Sequence, residues 1–346
     1  MTTVPGSIPK IILDCIALNK NIKIVVNYVL GPLVFLLLSW FIYCQITRQH
    51  NWRSSLDQVR KALTGPQQWK LWLVLALMPL NWGLEARKWQ LALRPVGGLG
   101  YRDAFKAVFT GAAVACFTPN RMGEYLGRIL YIREGRRVKA IALTIVSSMA
   151  QLMITLSLGL AGVLYVRTTG HAVIPGQLNW QFVMDILLGI VPVVLLSLTF
   201  IYFRLSRITD WLLKIPGTRK YSSYIKVLEN FRTRGLLQIL FLSFGRYIVF
   251  IIQYSLLFPV FGVDVGLCQA AGGMSVVFLI MAAIPTITFL TELGLRWEAS
   301  IQVLELYSSN MVGIFATSFA IWLINLIIPA MIGSLLIVSI KFSKSR

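Results

Sequence analysis

Two short stretches of this 346-residue chain pair a carboxylate with a guanidinium at the same spacing. After Pro119 comes Glu124-Tyr-Leu-Gly-Arg128, and after Pro285 comes Glu292-Leu-Gly-Leu-Arg296. On a helix, E-x-x-x-R stacks the two groups one turn apart. On a solvated helix such a pair is ordinary and contributes about 0.3–0.5 kcal/mol. Here each copy follows an apolar limb broken by proline, at corresponding places in the two halves of the chain. That context makes Glu124, Arg128, Glu292 and Arg296 candidates for holding a polar or anionic group, although Glu292 and Arg296 could also fall in an outer loop. Asn120 and Arg121 sit at the first break. There, side chains and freed backbone amides can meet an anion at the positive end of the following helix; an ordinary turn would look the same.

Two further sites place charge inside apolar sequence. Arg246 lies roughly 16 Å beyond Gly235 along a helix axis, near the middle of a long apolar run. A lone charge at that depth costs several kcal/mol unless it is paired or hydrated. Its nearest conceivable counter-charges are Glu124 and Glu292, and a purely structural ion pair between spans is the plain alternative. Glu85, Arg87 and Lys88 cluster near the end of another apolar run. The two cations could snorkel to the interface, but Glu85 has less reach and needs a partner.

Composition says what must position these groups. Hydrophobic residues make up 57% of the chain and charged residues only 13%, against about 25% charged in soluble domains. The mean hydropathy is +0.72. So much apolar surface requires a bilayer as solvent. The net charge of +20 comes from basic residues lying between apolar runs, as in loops facing anionic headgroups rather than in a nucleic-acid surface. No nucleic-acid partner is expected. Cys15, Cys44, Cys116 and Cys268 are far apart, with no CxxC, so they read as packing residues. His50 and His171 are single, without ligand spacing, and no metal or other cofactor is expected. No cleavable signal peptide is evident.

Six segments are long enough to cross a hydrocarbon layer of about 30 Å: approximately 24–46, 71–93, 141–166, 183–203, 235–259 and 311–340. Trp69, Trp72, Trp89 and Tyr202 mark ends of spans as interfacial anchors. Ala104 to Thr118 and Ala270 to Ile284 are shorter apolar limbs stopped by Pro119 and Pro285, and each is followed by a stretch that could return to the same side. If both are re-entrant hairpins and the N-terminus is inside, 25 Lys and Arg fall inside and 7 outside. If both cross fully, the split is 20 to 12. The positive-inside rule favours hairpins. Trp52, Leu56, Val59 and Leu63 share one helical face within 47–70, which suggests an amphipathic helix on the outer surface.

The expected fold is therefore an all-α polytopic membrane protein with about six transmembrane helices and two re-entrant helical hairpins. A cytoplasmic segment (1–23) precedes one integral membrane domain (24–340), and a cytoplasmic tail (341–346) follows. Within the domain, residues 24–166 and 183–340 repeat the same order of span, amphipathic linker, span, hairpin and span. Three spans separate the hairpins, so they enter from opposite sides, as in inverted repeats that place binding sites near the midplane.

The stretch Phe117-Thr-Pro-Asn-Arg-Met-Gly-Glu-Tyr-Leu-Gly-Arg128, after Gly111-Ala-Ala-Val-Ala115, resembles the first-half signature of the lysylphosphatidylglycerol synthase transmembrane-region family, also called the flippase-like domain family. Leu84-Glu-Ala-Arg-Lys-Trp89 and the second hairpin fit it too, and the likeness covers about residues 25–340. The second hairpin departs: members often carry a Pro-Gly-Gly-Leu-Gly-type break where this chain has Pro285-Thr-Ile-Thr-Phe. The resemblance implies a lipid translocase in a bacterial cytoplasmic membrane, lacking the aminoacyltransferase domain of bifunctional relatives, while the charge count puts both termini inside. Lysyl transfer is not expected.

The residues point the same way. Opposed hairpins would make a hydrated groove for a polar or anionic headgroup, lined by Arg246, Arg128 and Glu124, with the acyl chains left in lipid. Arginine forks suit a phosphate. No GxxxxGK[ST] motif occurs, so transport would be downhill, ion-coupled or driven by lipid consumption, and a buried Glu124 could carry a coupling proton. The alternative is a lipid-linked glycosyl- or group-transferase, against which the absence of DxD and the scattered acids argue. A regulatory or scaffolding membrane subunit is the third reading. Membrane lipids are the expected partners, with a lipid-modifying enzyme or glycosyltransferase as a candidate protein partner.

Overall fold

The computed structural model describes residues 65–116, 118, 121–169, 180–205, 231, 233–285 and 289–344. The expected first span, the amphipathic face from Trp52 to Leu63, and both Pro119 and Asn120 lie outside the described residues.

Among the described residues every regular element is helical. The first half contributes α1 (Gln68–Ala92), α2 (Tyr101–Ala115), α3 (Gly123–Ile129) and α4 (Arg137–Thr169). Then follow α5 (Trp180–Phe203), α6 (Thr233–Val260), α7 (Leu267–Ala283), α8 (Phe289–Leu304), α9 (Met311–Trp322) and α10 (Ile328–Lys344). One π turn, Leu323–Ile327, joins α9 to α10.

Among the described residues, four helical stretches are long and apolar enough to cross a membrane: Glu134–Thr169, Phe182–Phe203, Thr233–Val260 and Met311–Ile337. Leu267–Ala283 is a shorter apolar helix. At 25 residues α1 has spanning length, but Glu85, Arg87 and Lys88 interrupt its apolar surface. Along α5, Phe182, Val193, Leu196 and Phe200 are each more than 60% exposed. A helix apolar on its outer faces has to meet lipid rather than water. The chain is an integral membrane protein.

The helix ends follow from local sequence. Asp103 and Glu124 lie in the first turns of α2 and α3, and Arg128 in the last turn of α3, each complementing the helix dipole. The Gly266 amide at the start of α7 donates to Gln269 Oε1 at 2.9 Å. Asn310 caps α9, its Oδ1 accepting from the Gly313 amide at 2.9 Å.

Packing joins the two halves crosswise. Helix α1 lies along α6, and the bonds Arg246 to Asn81 and Gln253 to the Val74 carbonyl show the pair to be antiparallel. Helix α2 packs on α3 and on α10; correspondingly, α7 packs on α8 and on α4. The short limb of each half thus rests on the final helix of the other. In lipid, where apolar burial drives little, small residues allow such close approach. A Cβ at Gly127 would lie 2.6 Å from the Gly111 Cα, and one at Gly333 would strike the Phe109 carbonyl. Trp89, Trp322, Tyr202, Tyr254 and Phe258 fill the interior between these contacts.

Candidate functional site

Glu85 sits at the centre of the buried charge. It faces inward from α1 at 4% exposure, one turn beyond Asn81 on the same helix face. One carboxylate oxygen, Oε1, accepts from Arg128 Nη2 at 2.7 Å. The other, Oε2, lies 2.7 Å from Lys88 Nζ and also pairs with Arg246 Nη1. Arg246 Nε donates to Asn81 Oδ1 at 2.9 Å. Arg128, 1% exposed, pairs in addition with Glu124 one turn back on α3, and its guanidinium lies 5.8 Å from the Trp89 ring centre. Trp89 is fixed in turn by donating Nε1–H to Thr144 Oγ1 at 3.0 Å. One carboxylate therefore ties α1, α3 and α6 together.

The second E-x-x-x-R pair forms a smaller cluster. Arg296 Nη2 bonds Glu292 Oε1 at 2.9 Å, and its Nη1 donates to the Tyr254 hydroxyl at 3.3 Å. Arg121 Nη1 approaches the same Glu292 oxygen at 3.9 Å, linking the first break to α8. Arg121 has φ +57°, a left-handed conformation rare for a residue with a Cβ. Such strain persists only where surrounding structure holds it, and functional sites are where it collects.

Both clusters open onto one cleft of about 530 Å³. Glu85, Lys88, Arg121, Glu124, Arg246, Glu292 and Arg296 line it, and Arg128 lies directly behind. Gln151 of α4, together with Tyr247 and Phe278, completes the wall. Five cations face three carboxylates here, so the site holds two positive charges in excess. Arginines in fork geometry beside a cleft can bind an anion bidentately, phosphate above all.

Of the residues singled out in the sequence, Glu85, Arg121, Glu124, Arg128, Arg246, Glu292 and Arg296 come together here. Glu292 and Arg296 lie on α8, not in a loop. Pro285 lines the cleft mouth, while Pro119 and Asn120 lie outside the described residues. Arg87 does not join. It is exposed on the opposite side of α1, hydrogen-bonded to Gln90. Two expectations are corrected. Lys88 does not snorkel: at 2% exposure it turns inward to Glu85 and reaches Gln151 Oε1 at 3.5 Å. Arg246 takes Glu85, rather than Glu124 or Glu292, as its counter-charge, because α1 and α6 run antiparallel.

Sequence reasoning missed Asn81, Gln151 and Tyr254. The first two carried a signal, a polar amide within an apolar span. Tyr254 carried none, because a tyrosine in a membrane helix is unremarkable until its hydroxyl is seen to meet Arg296.

A helical membrane body enclosing a charged, cation-rich cleft defines a polytopic membrane protein built around a polar cleft between its helices. More specifically, the chain belongs to the lysylphosphatidylglycerol synthase TM region family, whose match covers residues 28–333. The match is to a membrane domain alone. Neither the curated proteins nor the solved structures include a significant match to the chain.

Proposed function

We propose that this protein is a lipid translocase, a flippase-like carrier for a polar or anionic headgroup such as that of a phospholipid or a polyprenyl-phosphate-linked lipid. The single observation that carries the reading is the two-charge excess around one cleft inside a membrane body. Those charges suit a phosphate-bearing headgroup, and the apolar walls beside them suit the acyl chains. Membership of a lipid-related membrane family agrees with it.

In this reading α2–α3 and α7–α8 are re-entrant hairpins entering from opposite sides, within inverted repeats at 24–166 and 183–340. The crosswise contacts, α2 on α10 and α7 on α4, support that arrangement because an internal two-fold relation exchanges one for the other. Arg246 and Arg296 of the second half hold the headgroup together with Arg121 of the first, and Glu85 and Arg128 keep the frame in place.

The test is lipid movement by purified protein in proteoliposomes, using fluorescent anionic, zwitterionic and aminoacylated phospholipids. One class should cross between leaflets, and Arg246→Ala, expressed at the same level, should stop it. Equal movement with wild type and variant would refute the assignment.

A further inference from the structure

Outside the charged cleft, a second cavity of about 420 Å³ opens between the last turns of α1 and the first turns of α6. Its α1 wall presents Arg87 and Arg94, both exposed. They lie about two helical turns apart, roughly 10 Å along the axis. Among the described residues neither arginine forms a carboxylate pair, and the cavity lining contains no acid; Arg87 meets the neutral Gln90. The α6 wall is of another kind. Leu237 and Phe241, one turn apart, are 48% and 73% exposed and face away from the protein, with Gln238 beside them.

The two walls ask for different parts of one ligand. Unpaired guanidinium forks recognise phosphate oxygens. An exposed aliphatic and aromatic wall beside them gains from acyl chains. A soluble phosphate would use the first wall and leave the second bare. The position also fits headgroup depth: Arg94 follows the last turn of α1, and the first turns of α2 and α6 carry Arg102 and Arg234. Basic residues near the surface attract anionic lipid.

We propose that this cavity binds the phosphate of an anionic phospholipid between Arg87 and Arg94, with the acyl chains along Leu237 and Phe241. The site is separate from the charged cleft and does not depend on the transport reading. A lipid held there stays at the protein surface, packing against α1 and α6 where they meet.

The experiment is native mass spectrometry of the full chain, purified in detergent, stripped of lipid and titrated with phosphatidylglycerol, phosphatidylcholine or inorganic phosphate. Replacing both arginines (Arg87→Gln with Arg94→Gln) should remove one bound phosphatidylglycerol, weakening its affinity about tenfold, as loss of charge-assisted bonds predicts. Phosphatidylcholine binding should be the same in both proteins. Phe241→Ala, which keeps both cations, should also weaken phosphatidylglycerol. If the glutamine variant does not elute as a single species, Arg87→Lys with Arg94→Lys reads the same site. It keeps the charge but loses the fork, and should bind phosphatidylglycerol less tightly than wild type. Unchanged phosphatidylglycerol occupancy in the arginine variants, or equal loss of phosphatidylcholine, would overturn the proposal. Displacement by inorganic phosphate would overturn the lipid as occupant and leave a soluble phosphoanion in its place. Because only binding is read, failure here leaves the translocation test untouched.

Discussion

Arg246 and Glu85, 161 residues apart in the chain, form an ion pair between antiparallel helices. The same carboxylate also holds Lys88 and Arg128, so the two members of the pair are not equivalent. Removing Glu85 leaves buried Lys88 and Arg128, and partly buried Arg246, without their shared counter-charge. Removing Arg246 leaves Glu85 with two cations still in contact.

That asymmetry predicts opposite phenotypes. Glu85→Gln should destabilise the protein by about 3–5 kcal/mol, the cost of stranding buried charge, seen as loss of monodisperse protein and a lower melting temperature. Arg246→Gln should leave melting within a few degrees of wild type while abolishing lipid translocation. Thermal melting in detergent alongside proteoliposome transport separates the two. Similar melting losses for both variants would contradict a central role for Glu85.

Arg121 offers a test through backbone geometry. Its φ of +57° costs about 1 kcal/mol or more for any residue with a Cβ and almost nothing for glycine. Both Arg121→Ala and Arg121→Gly remove the approach to Glu292. They differ in backbone strain, although glycine also loosens the unfolded chain. The glycine variant should therefore match or exceed the alanine variant in melting temperature, and both should slow lipid movement equally. A glycine variant clearly less stable than the alanine variant would count against strain at this turn.

Part of this arrangement was legible in the sequence, for physical reasons. Apolar length and charge scarcity announce helices in a bilayer, and the described helices start and end within a few residues of the expected spans they cover, as with α4 against 141–166 and α1 against 71–93. A charge at membrane depth must find a partner, so Arg246 and Glu85 stood out before their pairing was known. Which partner each takes was not legible. That depends on α1 and α6 running antiparallel with Asn81 and Glu85 level with Arg246, and one-dimensional periodicity carries no register between distant helices. The inward turn of Lys88 was hidden for a similar reason. Snorkelling and burial suit the same residue type, and the choice is made by Glu85 one turn away.

Each E-x-x-x-R segment carries one glycine, third after the glutamate in the first and second after it in the other, and the two glycines meet different surroundings. In Glu124-Tyr-Leu-Gly-Arg128, Gly127 lies against the backbone of α2: a Cβ there would be 2.6 Å from both the Gly111 Cα and the Thr110 carbonyl oxygen. Backbone cannot step aside as a flexible side chain can, so Gly127→Ala must push α3 off α2 and drag Arg128 away from Glu85. Overpacking of this kind costs typically 1–3 kcal/mol, and the displaced guanidinium adds to it. In Glu292-Leu-Gly-Leu-Arg296, a Cβ at Gly294 meets nothing within 4 Å. Gly294→Ala should therefore be neutral, or stabilise α8 by up to about 1 kcal/mol through helix propensity. Melting temperatures of the two alanine variants, measured side by side, should fall on opposite sides of wild type or nearly so. Equal destabilisation by both would mean that α8 is packed as closely as α3 at this position, contrary to the open space beside Gly294.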